Sequence, residues 1–95
     1  MANVTVKLFG VLRVDTGLGA MEVKADTIDG IFVSLNKEIE KIYKERVIDD
    51  PSLERPDKIQ YKDALIYINE TRCKRKKTPL FDGDEVWLLS PASGG

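Results

Sequence analysis

From Ile28 to Tyr43 the chain carries one long apolar stripe at helical spacing. Ile28, Ile31, Phe32, Leu35, Ile39, Ile42 and Tyr43 recur at steps of three and four, which places them on one helix face. Lys37, Glu38, Glu40, Lys41 and Lys44 fall mainly on the opposite face. Thr27 or Asp26 can cap the start, and Asp29 in the first turn complements the helix dipole. Gly30 costs up to about 1 kcal/mol relative to alanine, and it permits close packing on a strand. Pro51 disfavours helix through the residue before it, so the helix should fade around Arg46 to Ile48. A single amphipathic helix cannot bury its own face and needs a sheet to cover it.

The remaining apolar runs supply that sheet. Val4, Val6 and Leu8 alternate with Thr5, Lys7 and Phe9, a period of two that reads as a half-buried strand with Phe9 out of place on the polar side. Asp15–Gly19 holds turn residues, and Ala20–Lys24 alternates again with Met21 and Val23 inward, so the two runs are expected to form a hairpin with a longish loop. Residues 49–63 read as an irregular connection with a short extended piece at Ile59-Gln60-Tyr61. Ala64–Ile68 is nearly continuously apolar, as expected of a strand well inside a sheet, and Asn69-Glu70-Thr71 reads as a turn. Gly83, in Asp82-Gly83-Asp84, can supply a positive φ. Glu85–Leu89 forms the last strand, with Val86 and Leu88 toward the core and Trp87 and Leu89 on the other face. One helix on one face of a mixed sheet is an α+β architecture, expected over residues 1–90 with a tail at 91–95.

Composition narrows the function. A hydrophobic fraction of 42% supports one modest core. The chain has no histidine and one cysteine, which leaves no histidine-based triad, no internal disulfide and no ordinary zinc ligand set. That single cysteine suits a cytoplasmic protein. No apolar run is long enough to span a membrane, and the first residues lack the pattern of a signal peptide. A net charge of −1 argues against a general nucleic-acid binder. Five cations stand among the six residues Arg72–Lys77. They read either as a docking patch for an acidic partner or nucleic acid, or, more simply, as a solvated turn or edge strand. Cys73 among them is better explained as a small apolar filler than as a reactive thiol.

The chain closes on Ser90-Pro91-Ala92-Ser93-Gly94-Gly95, where nothing can pack a core or continue a strand. Two final glycines arise by chance in roughly 0.5% of chains, and alone they say only that the end can move. Their setting is more specific. Val6-Lys7-Leu8-Phe9-Gly10 with Arg13, Tyr67-Ile68-Asn69-Glu70, and Thr78-Pro79-Leu80-Phe81-Asp82-Gly83-Asp84-Glu85-Val86 run in that order up to the tail. Together they resemble the β-grasp sulfur carriers, the ubiquitin-like MoaD and ThiS group that includes small archaeal modifiers. The resemblance spans nearly the whole chain.

That resemblance implies a β-grasp fold of four to five strands, with the first and last strands parallel at the sheet centre and the helix packed across. It implies that Gly95 is the working group, adenylated by an ATP-dependent activating enzyme of the MoeB/ThiF kind and converted to a thiocarboxylate. Gly94, without a Cβ, would ease entry into a narrow cleft. Fully extended, residues 91–95 could reach about 17 Å. No cofactor is expected on the chain itself, since ATP belongs to the partner. Phe9, Leu89 and the outward Trp87 correspond to an exposed docking patch, with Arg13 a charged contact at its edge. Arg72 stands where MoaD proteins often carry a third apolar position, and Ser90-Pro91 where they commonly show two prolines. The leading expectation is a sulfur carrier acting as the small subunit of molybdopterin synthase, bound to its large subunit. The alternative is a modifier joined through Gly95 to lysines of target proteins. A thiamin-pathway carrier and a plain binding module rank lower.

Overall fold

The computed structural model describes residues 1–55 and 58–90. Among them five strands form one mixed sheet: β1 (Ala2–Leu8), β2 (Ala20–Ala25), β3 (Leu65–Ile68), β4 (Thr71–Cys73) and β5 (Glu85–Leu89). Their order across the sheet is β2-β1-β5-β3-β4. β1 and β5 run parallel and every other pairing is antiparallel. Among the described residues two α-helices complete the fold, a short α1 (Val11–Thr16) and the long α2 (Ile28–Asp49). This is the β-grasp arrangement that the resemblance implied, with the two chain-distant strands side by side at the centre.

Alternation decides what each strand buries. Val4, Val6 and Leu8 of β1, Val86 and Leu88 of β5, Ile66 of β3 and Val23 of β2 point to the face covered by α2 and are buried. Ile28, Ile31, Phe32, Leu35 and Ile39 meet them from the helix. Every residue in that interlocking set is apolar, so burial costs no unpaired polar group. Gly30 sits where the sequence asked for close approach, since a Cβ there would lie 3.3 Å from the Ala25 Cβ.

The start of α2 is closed by backbone rather than by a side chain. Thr27 is the N-cap residue, but its hydroxyl donates to the Asp29 carboxylate. The orphan amides of Ile28 and Asp29 instead reach the carbonyls of Thr78 and Lys76 at 3.1 and 2.8 Å. Lys77 pairs with Asp29 at 2.7 Å. Part of the basic run is therefore a structural cap.

Two expectations are corrected. The connection from β1 to β2 is not a simple loop, because it contains α1. Gly17, at φ 73, ends that helix with its N–H on the Arg13 carbonyl. The Thr16 hydroxyl donates to the Leu12 carbonyl at 2.7 Å and accepts from the Leu18 amide at 3.1 Å. Six residues are too few to display a helical period. Next, Ile59-Gln60-Tyr61 is not a strand: Ile59 is buried and Tyr61–Asp63 form a single 3-10 turn. Asn36 holds that connection, donating to the Ile59 carbonyl at 2.9 Å and accepting its amide at 2.8 Å. β3 lies inside the sheet as expected, between β5 and β4, with Ile66 buried and Leu65 and Tyr67 half-exposed on the opposite face. α2 also runs to Asp49, a residue past the expected fade.

Candidate functional site

The face of the sheet turned away from α2 is where the expected docking residues meet. Trp87 lies in register with Lys7 of β1 on one side and Tyr67 of β3 on the other, and Tyr67 faces Arg72 of β4. The resulting row, cation, two aromatics, cation, spans about 14 Å at ordinary strand spacing. One step toward the end of β5, Leu89 pairs with Leu65. Phe9 extends the β1–β5 ladder, its amide donating to the Leu88 carbonyl at 3.0 Å. Its ring meets Trp87 edge to face, with centroids 5.7 Å apart and planes at 70°. Phe9 is 37% exposed, while Trp87 and Leu89 are half-buried.

The tryptophan is held in place. Its indole N–H donates to Glu85 Oε1, and Lys7 Nζ stands 3.4 Å from the same oxygen. These contacts, the indole first and then Lys7, hold the Glu85 carboxyl below its ordinary value. The aromatic platform thus presents a fixed surface rather than a mobile side chain.

Chain direction relates this surface to the tail. Because β5 runs parallel to β1, Leu89 and Ser90 lie at the same end of the sheet as Phe9 and the start of β3. Gly94 and Gly95, named from the sequence as the chemical end, lie outside the described residues. Arg13 is exposed on α1 at this same end, its guanidinium side folded over Gly19, where a Cβ would meet Nε at 3.2 Å. Arg72 is exposed on β4, at the far margin of the aromatic row.

Leu65 and Tyr67 share this face and were missed by sequence reasoning, whereas Lys7 falls on it beside Phe9, as the alternation of β1 placed it. The near-continuous apolar run at 64–68 concealed the alternation, and only the register with β5 reveals which members face outward. Asn69 gives the face a firm border. It donates to Asp84 Oδ1 at 2.9 Å, accepts the Glu85 amide at 2.9 Å, and donates its own amide to the Glu85 carbonyl at 2.8 Å.

Among the described residues no group of acidic or cysteine side chains is placed to hold a metal ion. Nor is any described helix long and apolar enough to cross a membrane. Cys73 is buried, its thiol 3.4 Å from the Arg75 carbonyl and 3.3 Å from the Thr78 hydroxyl, as a packed filler would be. The open face offers apolar area, fixed aromatics and flanking cations, which is equipment for binding a protein surface.

Comparison with known proteins agrees with this geometry. The sequence model of the ThiS family matches residues 6–95. Among solved structures, the small archaeal modifier protein 1 of Methanosarcina acetivorans is 28% identical, with 100% of this chain and 98% of that one covered and a TM-score of 0.69. CysO of Mycobacterium tuberculosis, described as an antigen, is 28% identical over 93% of this chain and 98% of its own, with a TM-score of 0.61. A complex of subunits 1 and 2 of the molybdopterin-converting factor from Helicobacter pylori contains a chain 26% identical, covering 98% and 99%, with a TM-score of 0.51. No curated protein sequence matches the chain.

Proposed function

The chain belongs to the ThiS family, and on that footing we propose that it is a sulfur carrier whose C-terminal Gly95 is the acceptor. The observation that carries this reading is the family match running through Gly95, on a chain whose last strand ends beside the Phe9–Trp87–Leu89 face. A carboxylate is a poor acyl electrophile. In the proposed cycle its oxygen attacks the α-phosphorus of ATP held by a partner activating enzyme, releasing pyrophosphate and leaving an acyl-adenylate. A sulfur nucleophile delivered by the partner system then displaces AMP, and a thiocarboxylate remains on Gly95. The protein is substrate and carrier in this cycle, and ATP and its binding groups belong to the activating enzyme.

For delivery, we favour the role of small subunit beside a larger catalytic subunit that passes the sulfur to a pterin precursor, as in molybdopterin synthase. The likeness to a chain of the Helicobacter pylori converting-factor complex supports it. The second reading, a modifier conjugated through Gly95 to target lysines, is supported by the likeness to the archaeal modifier protein. Both begin with the same adenylate and differ only in the nucleophile that resolves it.

Intact-mass measurement of protein isolated from its native cell separates them. A fraction carrying an oxygen-to-sulfur exchange at the C-terminus is expected for the carrier, and Gly-Gly remnants on lysines of other proteins for the modifier. Should neither form occur, and should removal of Gly94 and Gly95 leave function intact, the proposal is wrong.

A further inference from the structure

The basic run at 72–77 is only partly explained by the cap it provides to α2. Lys77 is neutralised by Asp29, but Arg72, Lys74 and Arg75 make no ion pair among the described residues. These three cations border a groove of about 500 Å³ between β4 and the segment at 78–81. Its wall is apolar, with Ile68, Pro79 and Phe81 contributing, and Phe81 is 68% exposed. The carboxylate of Asp84 also lines it, but that group is engaged by the Asn69 amide and the Phe81 N–H, each at 2.9 Å.

Beside this groove runs an unpaired strand edge. Among the described residues β4 is the last strand of the sheet and pairs only with β3. Asn69 and Glu70, at φ 49 and 71, form a two-residue reversal in which Ile68 and Thr71 close the turn. One residue on, Arg72 therefore directs its backbone N–H and C=O away from β3, toward the open edge. The opposite wall is fixed to the fold. Leu80 donates to the Asp26 carbonyl at 2.9 Å, and the Thr78 hydroxyl donates to the Arg75 carbonyl at 2.7 Å. The groove is formed before any partner arrives.

We propose that this edge and groove take an extended acidic peptide segment of a partner protein, added to β4 as a sixth strand. An apolar side chain of the peptide would enter between Ile68 and Phe81, and its flanking carboxylates would meet Lys74 and Arg75. Main-chain pairing supplies affinity at a strand edge, while pockets and charge select the sequence. A nucleic acid fits less well, because the chain's net charge is −1 and the groove presents one exposed ring rather than a stacking series. The groove lies by the beginning of β5, whereas the tail departs from its end, about 15 Å further along the strand. A partner held here leaves the tail and the Phe9–Trp87–Leu89 face free for activation, so the two surfaces can be occupied together.

The test titrates the isotopically labelled full chain with short acetylated peptides having a central Val, Ile or Leu triplet flanked by Asp and Glu. The same peptides with Asn and Gln in place of the acids, and a short oligouridylate, are run beside them. Amide shifts should concentrate at 71–74 and 79–81 and spare Phe9 and Leu89. The acidic peptides should bind at least about tenfold more tightly than their amide counterparts. Lys74→Glu with Arg75→Glu should weaken them roughly tenfold, and Phe81→Ser should weaken them independently. Three results would overturn the proposal: no shift at these amides up to about 1 mM peptide, equal binding of the amide peptides, or tighter binding of the oligouridylate.

Discussion

Glu85 and Asp29 are half-exposed carboxylates, each with more than one partner. Glu85 accepts from the Trp87 indole and faces Lys7; Asp29 accepts from Lys77 and from the Thr27 hydroxyl. Both are held below their ordinary values in the folded chain, Asp29 chiefly by the Lys77 hydrogen bond and Glu85 chiefly by the indole. A depressed folded value means that the native state binds its proton less readily than the unfolded chain. The stabilisation is therefore present above the unfolded value and is lost as pH falls through the folded one. Urea midpoints should decline as pH drops below about 4, and the decline should be shallower in Glu85→Gln with Asp29→Asn. An unchanged acid limb in that double variant would show that these contacts carry no linkage. Added salt should reduce the difference, since both groups face solvent.

At the scale of elements, the open face of β1, β5 and β3 lets the proposed docking role be tested apart from stability. Phe9, Trp87 and Leu89 lie opposite the side chains that hold the core, so polar change there strikes a surface and not the packing under α2. If the proposed activating enzyme docks here, Phe9→Asp with Leu89→Asp should weaken its association by roughly 2 kcal/mol, about thirtyfold. Folding stability should fall by no more than about 1 kcal/mol. Titration calorimetry paired with thermal unfolding reads both quantities. A collapse of the fold would assign these side chains to the core instead. α2 and its supports explain why the face stays available: the helix occupies one side of the sheet, and Asn36 ties the long connection to the helix through Ile59.

Across the whole molecule, one pairing joins the chain's two ends. β1 and β5 are nearly eighty residues apart yet run side by side, Val6 opposite Val86 and Leu8 opposite Leu88. Leu88 is fully buried, between Leu8 and Ile66 in the register. Leu88→Ala should cost about 3 kcal/mol through lost burial and a residual cavity. That is a large part of the few kcal/mol that stabilise a domain of this size, and Tm should fall by more than about 10 °C. In calorimetry the expected result is one cooperative transition at lower temperature; a shift under about 3 °C would count against this central role.

Period and punctuation determined much of this fold without any coordinates. Steps of three and four from Ile28 to Ile39 specified which helix face is buried, and alternation in β1 and β5 specified which strand residues meet it. Gly83 adopts φ 89 in the turn where its lack of a Cβ suggested it. Local pattern succeeded there because each side chain's direction follows from its own strand or helix. Tertiary structure alone decided what depends on neighbours far along the chain. α1 was hidden because six residues cannot show a period and because Thr16 is satisfied by contacts within its own turn. Leu65 and Tyr67 joined the proposed docking face only through their register with Leu89 and Trp87. The free cations beside β4 became a groove only once Phe81 was folded back beside them. A sequence states which faces are apolar, while strand register determines which of them share a surface.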